Sequence, residues 1–215
     1  LKQIDMELAI DKFHPDRLGK ITGSKCSVLF PKRSAVVGID TYARQLASEL
    51  YFKFYDERGS WQTEHGNLNE NEAFHYYQDR FSKSIEFGSF HSKGECAGTS
   101  DAIDTNMGID FKCPTTLEMW LSYMYDGISS QQYHQGQMYC YIFDRPKWRF
   151  CAYLTETQKM TDFGLTYPVH PDKRMIMVDV EADPEWVSKL EVEAPKLIDL
   201  RDKYFEILTN NQLIK

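Results

Sequence analysis

Between residues 36 and 55 the apolar positions Ile39, Tyr42, Ala43, Leu46, Ala47 and Leu50 recur every three or four residues. That spacing predicts a helix with one buried face. The same period predicts a helix over about 63–81, with Phe74, Tyr77 and Phe81 turned inward. Helical spacing carries that stripe back to Glu70, whereas Glu72 falls about 200 degrees away at about 100 degrees per residue and reads as solvated. A third helix is expected over 116–125, with Leu117, Trp120, Leu121 and Met124 on one side and Gly127 as its stop. In a fourth, over 131–143, Gln135, Met138, Tyr139 and Ile142 share a face, and Gln137 joins Cys140 and Tyr141 on the next. Asp183 and Pro184 read as cap and first turn of a C-terminal helix, 183–209, which buries Trp186, Leu190, Leu197, Tyr204 and Leu208 and kinks at Pro195.

Between the helices the pattern shortens to strands. Residues 85–97 read as short strands broken by Gly88 and Gly94, and 148–154 and 174–180 as runs apolar enough to lie inside a sheet. From Met107 to Cys113 the residues alternate, with Ile109, Phe111 and Cys113 on one face and Asp110 and Lys112 together on the other. Asn106-Met107-Gly108 supplies a turn ahead of that strand, so a hairpin return brings Asp101 beside Asp110.

That pairing is the first candidate chemistry. Two close carboxylates repel unless one is protonated or a cation lies between them, and hard divalent cations prefer oxygen ligands. Lys112 would then hold an attacking water or the scissile phosphate. In so acidic a chain a lone Asp-x-Lys triplet also arises by chance, so its neighbours matter. Glu70, on a buried helix face, needs a partner: an arginine, a tyrosine hydroxyl or a metal. Gln135, on an apolar face, has an amide to satisfy. Near the start, Pro15, Gly19 and Gly23 break the chain before the apolar stretch from Cys26 to Phe30, where Thr22 or Ser24 is expected to cap a helix. With Arg17 and Lys25 nearby, that helix start reads as a phosphate pocket or as an ordinary capped end. His91 is a further candidate ligand, set in a polar loop.

Composition narrows the class. A chain of 215 residues with 42% hydrophobic content supports one domain with a substantial core. Its net charge of -7 argues against broad adhesion to nucleic acid and leaves room for a local basic groove or a cation-bridged phosphate contact. Five cysteines form no CxxC pair and read as reduced thiols. No apolar run approaches the roughly 20 residues that cross a bilayer, and the start lacks a signal-peptide pattern, so a cytoplasmic protein without a membrane partner is expected.

Taken in order, Arg17 with Ser24, Glu70, Asp101, Asp110-x-Lys112-Cys-Pro and Gln135-x-Gln137 resemble the phage lambda exonuclease type, or YqaJ-like recombinases, of the PD-(D/E)XK nuclease superfamily. RLGKITGSK is similar to that family's Arg-x-Gly-x-Ile-Thr-x-Ser element, GNLNENEA to its glutamate helix, GTSDAI to its Ser-Pro-Asp-Gly element, IDFKCP to its Leu-Glu-Leu-Lys-Cys-Pro strand and YHQGQMY to its Gln-x-Gln helix. The resemblance covers about 13–155 and implies an α/β, restriction-endonuclease-like core, a central mixed sheet flanked by helices, in a single exonuclease domain. It implies that Asp101, Asp110, Glu70 and the backbone carbonyl of Phe111 bind Mg2+, with Mn2+ as substitute, that Lys112 activates water or steadies the phosphate, and that Gln135 orients its neighbours. Arg17 with Ser24 would hold a DNA phosphate. Two positions depart from the pattern: Ser100 stands for proline and Asp110 for the more frequent glutamate.

The implied activity is 5'-to-3' digestion of linear duplex DNA, which leaves 3' single strands for a phage-type annealing protein. The implied assembly is a ring trimer around DNA. An endonuclease on the same fold and a catalytically silent DNA-end module are the alternatives.

Overall fold

A computed structural model of the chain describes residues 14–30, 36–55, 61–155 and 169–213. The segment up to Phe13, and Pro168, lie outside them. Contacts divide the chain into two compact units: residues 1–56, 89–99 and 183–215 form the first, and 57–88 and 100–182 the second.

In the first unit, helix α1 (Val36–Phe52) packs on the long C-terminal helix α5 (Pro184–Asn210). The predicted stripe is there: Tyr42, Ala43, Leu46 and Ala47 are buried on α1, and Trp186, Leu190 and Leu197 on α5. Asp183 caps α5 by accepting from the Glu185 amide, and the helix runs on through Pro195. Two charged residues that periodicity misses are buried here. Arg201 donates to the Gly19 carbonyl and the Glu95 carboxylate, each at 2.8 Å, and Glu49 accepts from the Gly19 amide at 3.2 Å. A small sheet joins β1 (Ile21–Thr22), β4 (Cys96–Thr99) and β3 (Phe90–Lys93) in the order β1-β4-β3, parallel and then antiparallel.

The second unit holds a five-stranded mixed sheet in the order β2 (Glu86–Phe87), β5 (Ala102–Asp104), β6 (Met107–Lys112), β7 (Lys147–Tyr153), β8 (Met175–Glu181). Every pairing is antiparallel except that between β6 and β7. Helix α2 (Trp61–Arg80) packs on β6, while α3 (Leu117–Tyr125) and α4 (Ser130–Phe143) pack on β7 and β8. Ile109 and Phe111 of β6 share one apolar cluster with Ala73, Phe74 and Tyr77 of α2, and Cys113 packs against it, so the odd-numbered face of β6 is the core face. Gly136 lets α4 come close to the sheet: a Cβ there would lie 3.1 Å from the Phe150 ring and 3.3 Å from Val180. Ser129 and Gln132 close a capping box at the start of α4, and Thr116 caps α3.

Four expectations need correction. Phe81 and Met124 are exposed, because Phe81 lies past the last turn of α2 and Met124 sits in the last turn of α3, where neither helix still faces the sheet. Strand β8 is an edge strand that buries only Val180, so its apolar run does not mark an interior position. The hairpin turn falls at Thr105-Asn106, ahead of Met107 and Gly108, which already belong to β6. The apolar stretch after Ser24 is a four-residue 3-10 helix, Cys26–Leu29; its N-cap is Lys25, with no side-chain cap bond, and Thr22 lies in β1. So short a helix aligns few peptide dipoles and offers little to an anion. Among the described residues no helix is long and apolar enough to cross a membrane. The five cysteines are free, and all but Cys113 are buried.

Candidate active site

The site is built on the β5–β6 hairpin. Ala102 pairs with Ile109 and Asp104 with Met107, so Asp101 lies at the open end of the ladder beside Asp110 and Phe111. There its Oδ2 accepts the backbone amide of Phe111 at 2.7 Å. Gly88 presses on the same point from β2's side, donating its amide to the Asp101 carbonyl at 3.0 Å. A Cβ at Gly88 would stand 2.0 Å from the Ser100 carbonyl oxygen, so that approach requires glycine. Ser100, which stands for the resembled family's proline, is buried in this contact.

Asp110 and Lys112 project together from the other face of β6, as alternation predicts. Lys112 Nζ lies 2.5 Å from Asp110 Oδ2 in an ion pair without hydrogen-bond geometry, and that oxygen is buried without another partner. The other oxygen, Oδ1, accepts from Gln135 Nε2 of α4 at 3.0 Å. Gln135 also donates to the hydroxyl of Tyr139 at 3.4 Å, one helical turn on. Asp110, Gln135 and Tyr139 are all more than nine-tenths buried.

Burial raises the Asp101 carboxyl well above the usual range, and the charges of Asp110 and Glu70 push it further. Glu70 of α2 is thus close enough for its charge to bear on the pair, as the helical stripe predicts. Burial alone would lower the Lys112 ammonium, but Asp110 and Asp101 together outweigh it and hold its pKa above a lysine's ordinary value. Burial likewise raises Tyr139, and Asp110 adds to it. Glu72, read as solvated, is exposed but accepts from the Tyr153 hydroxyl at 2.6 Å.

Asp101, Asp110, Lys112, Gln135 and the Phe111 amide therefore meet at one end of β6, with Glu70 within electrostatic reach. The Phe111 ring points the other way, into the core. Among the described residues no three His, Cys, Asp or Glu side chains form a ready metal cluster. Two neighbouring carboxylates, that of Asp101 raised by burial and by the charge of Asp110, are nevertheless a donor pair suited to a hard cation. His91 is exposed on β3, in the first unit. Arg17 and Ser24 also belong to that unit. The Arg17 guanidinium lies 4.1 Å over the Tyr55 ring, and Ser24 is exposed between β1 and the short helix.

Two residues of the site escape a reading by sequence pattern. Tyr139 sits four positions after Gln135 on the same face, a signal that reads first as helix packing. Tyr123 of α3 accepts from Gln132 at 2.6 Å, and its hydroxyl, raised by burial, feels both Lys112 and Asp110. Gln137, by contrast, anchors α4 to β8 through the Glu181 carbonyl at 2.7 Å.

No protein-family model matches the chain, and no curated protein matches it either. Solved structures do. An alkaline exonuclease (LHK-Exo) from Laribacter hongkongensis matches with TM-score 0.73 and 16% identity over 91% of this chain and 94% of that one. The same exonuclease in complex with dAMP gives TM-score 0.73 at 16% identity, over 92% and 95%. A phage related exonuclease from Haemophilus somnus 129PT matches with TM-score 0.67 and 17% identity, over 90% and 96%. At such identities the likeness is one of fold, and the fold is the restriction-endonuclease-like α/β core that the motif order implies.

Proposed function

We propose that the chain is a Mg2+-dependent exonuclease that digests linear double-stranded DNA from 5' to 3' and leaves 3' tails for a strand-annealing protein. The observation that carries the reading is the convergence of Asp101, Asp110, Lys112 and Gln135 at one end of β6. Asp101 and Asp110 would hold the ion, joined by Glu70 and the Phe111 carbonyl, and Mn2+ would serve in place of Mg2+. Bound there, the ion supplies a water of lowered pKa and positive charge against the phosphoryl oxygens.

The rest is done by this chain's side chains. Lys112, held as an ammonium, is a poor base and a good donor, so it positions the attacking water or a phosphate oxygen and offsets charge in the transition state. Gln135 fixes one oxygen of Asp110 and leaves the other turned to Lys112. Asp101 is oriented by the Phe111 amide, which engages one of its two oxygens. Arg17, with Ser24, would hold a DNA phosphate. A ring trimer in the cytoplasm would reconcile a net charge of -7 with a DNA substrate, since only the channel need be basic.

The test is nucleotide release from 5'- and 3'-labelled linear duplex in Mg2+ and in EDTA, with a covalently closed circle beside it. Release from the 5' end, only with Mg2+, is expected. Equal cutting of the circle favours an endonuclease. End binding without release, unchanged in Lys112→Ala, favours a silent DNA-end module.

A further inference from the structure

The first unit carries a pocket of about 420 Å³ at the C-terminal end of α1, within the roughly 300–1,000 Å³ typical of ligand sites. Its floor is polar and already satisfied. Glu49, only 6% exposed, accepts from the Gly19 amide and from Gln45 Nε2, and Gln45 in turn accepts from Lys25 Nζ at 2.6 Å. Its walls are aromatic, and two of them face solvent: Phe52 is 50% exposed and Phe54 61%. Between them Lys53 takes a left-handed backbone, φ 52°, which ends α1. The third ring, Tyr55, is buried, and the Arg17 guanidinium lies 4.1 Å over it.

Exposed phenyl rings, a fixed hydrogen-bonding floor, the Lys25 ammonium and, behind the Tyr55 wall, the Arg17 guanidinium suit one ligand chemistry. An apolar peptide would use the rings and leave the cations idle, and a free phosphate would do the reverse. A nucleotide uses both, because a base offers a π face to a phenyl ring while its phosphate meets Arg or Lys. We propose that this pocket is a stacking subsite for the terminal base of a DNA strand, held on Phe52 and Phe54. The inference rests on the reading of DNA ends as substrate and adds a place where the end nucleotide is gripped.

The test uses linear duplex with 2-aminopurine as its terminal nucleotide, in Ca2+, and compares the wild-type protein with Phe52→Ala/Phe54→Ala and with Phe54→Trp. Both phenyl rings are half exposed or more, so the melting midpoint of the double variant should stay close to wild type. Wild type should bind the end with a change in fluorescence. The double variant should bind about tenfold more weakly without that change, and Phe54→Trp should keep both. Unchanged affinity and fluorescence in the double variant, or an equal loss on a closed circle, would overturn the subsite. If wild type digests and binds ends while the double variant matches it, the subsite alone fails. If wild type does neither, the exonuclease reading falls with it.

Discussion

Gln135 reaches across from α4 to donate its side-chain amide to Asp110 at 3.0 Å, so one acid of the site is held by a residue 25 positions away. Supporting groups of this kind are typically worth about 10–100-fold in affinity for a metal or in activity. Gln135→Ala should cut nucleotide release by about that range with little change in DNA binding. Gln135→Glu, which sets a second negative charge against Asp110, should do worse. Steady-state release with both variants checks the order.

Lys112→Ala removes the ammonium beside Asp110 and with it the donor proposed to hold water or phosphate. A single transition-state donor is commonly worth about 10²–10³ in kcat, so that loss is expected. Because the variant also leaves a buried carboxylate without its cation, the metal-free protein should lose about 3 kcal/mol in urea unfolding. An intact rate would count against the role given to Lys112.

At Gly88 an alanine methyl would meet the Ser100 carbonyl oxygen at 2.0 Å, and the backbone would have to move. That backbone carries Asp101. Gly88→Ala should therefore cost about 1–3 kcal/mol of stability, the usual range for overpacking, and lower activity through a displaced Asp101. Gly66→Ala, where a Cβ meets nothing within 4 Å, is the matched control.

One pH-dependent contribution to stability lies at the sheet edge. Asp179 of β8 accepts two bonds from Arg149 of β7, at 2.6 and 2.8 Å, and Arg149 also donates to Tyr77 at 3.0 Å. The hydrogen bonds from Arg149 hold the Asp179 carboxyl below its ordinary value, although burial opposes them. A depressed folded pKa adds stability that is fully present above the unfolded value, about 3.9, and is lost as pH falls through the folded one. Both side chains are partly exposed, so the contribution is about 1 kcal/mol or less. The Asp179 share of the urea midpoint should therefore hold down to about pH 5 and fall below it, and Asp179→Asn should remove that share.

Much of this was legible in the sequence because it depends on local period. Alternation in β6 is enough to put Asp110 beside Lys112, and helical spacing is enough to turn Glu70 toward the sheet. The hairpin adds Asp101. What could not be read depends on distant neighbours or on where an element ends. Phe81 and Met124 keep the right spacing but run out of sheet to cover. The buried charges Arg201 and Glu49 are set by carbonyls and amides far along the chain, and charge pattern carries no trace of them. Tyr139 was visible only as an apolar face, since its hydroxyl matters through Gln135.

The β5–β6 hairpin also bears on the order of folding. Hairpins form in about 1–10 μs, whereas parallel pairings wait on longer loops. Asp101 and Asp110 belong to one hairpin, while β6 meets β7 only once α3 and α4 have been laid down between them. The two acids thus become neighbours early, before Gln135 arrives, and their mutual repulsion acts on the nascent chain. Divalent ions should for that reason speed refolding as well as stabilise the finished protein.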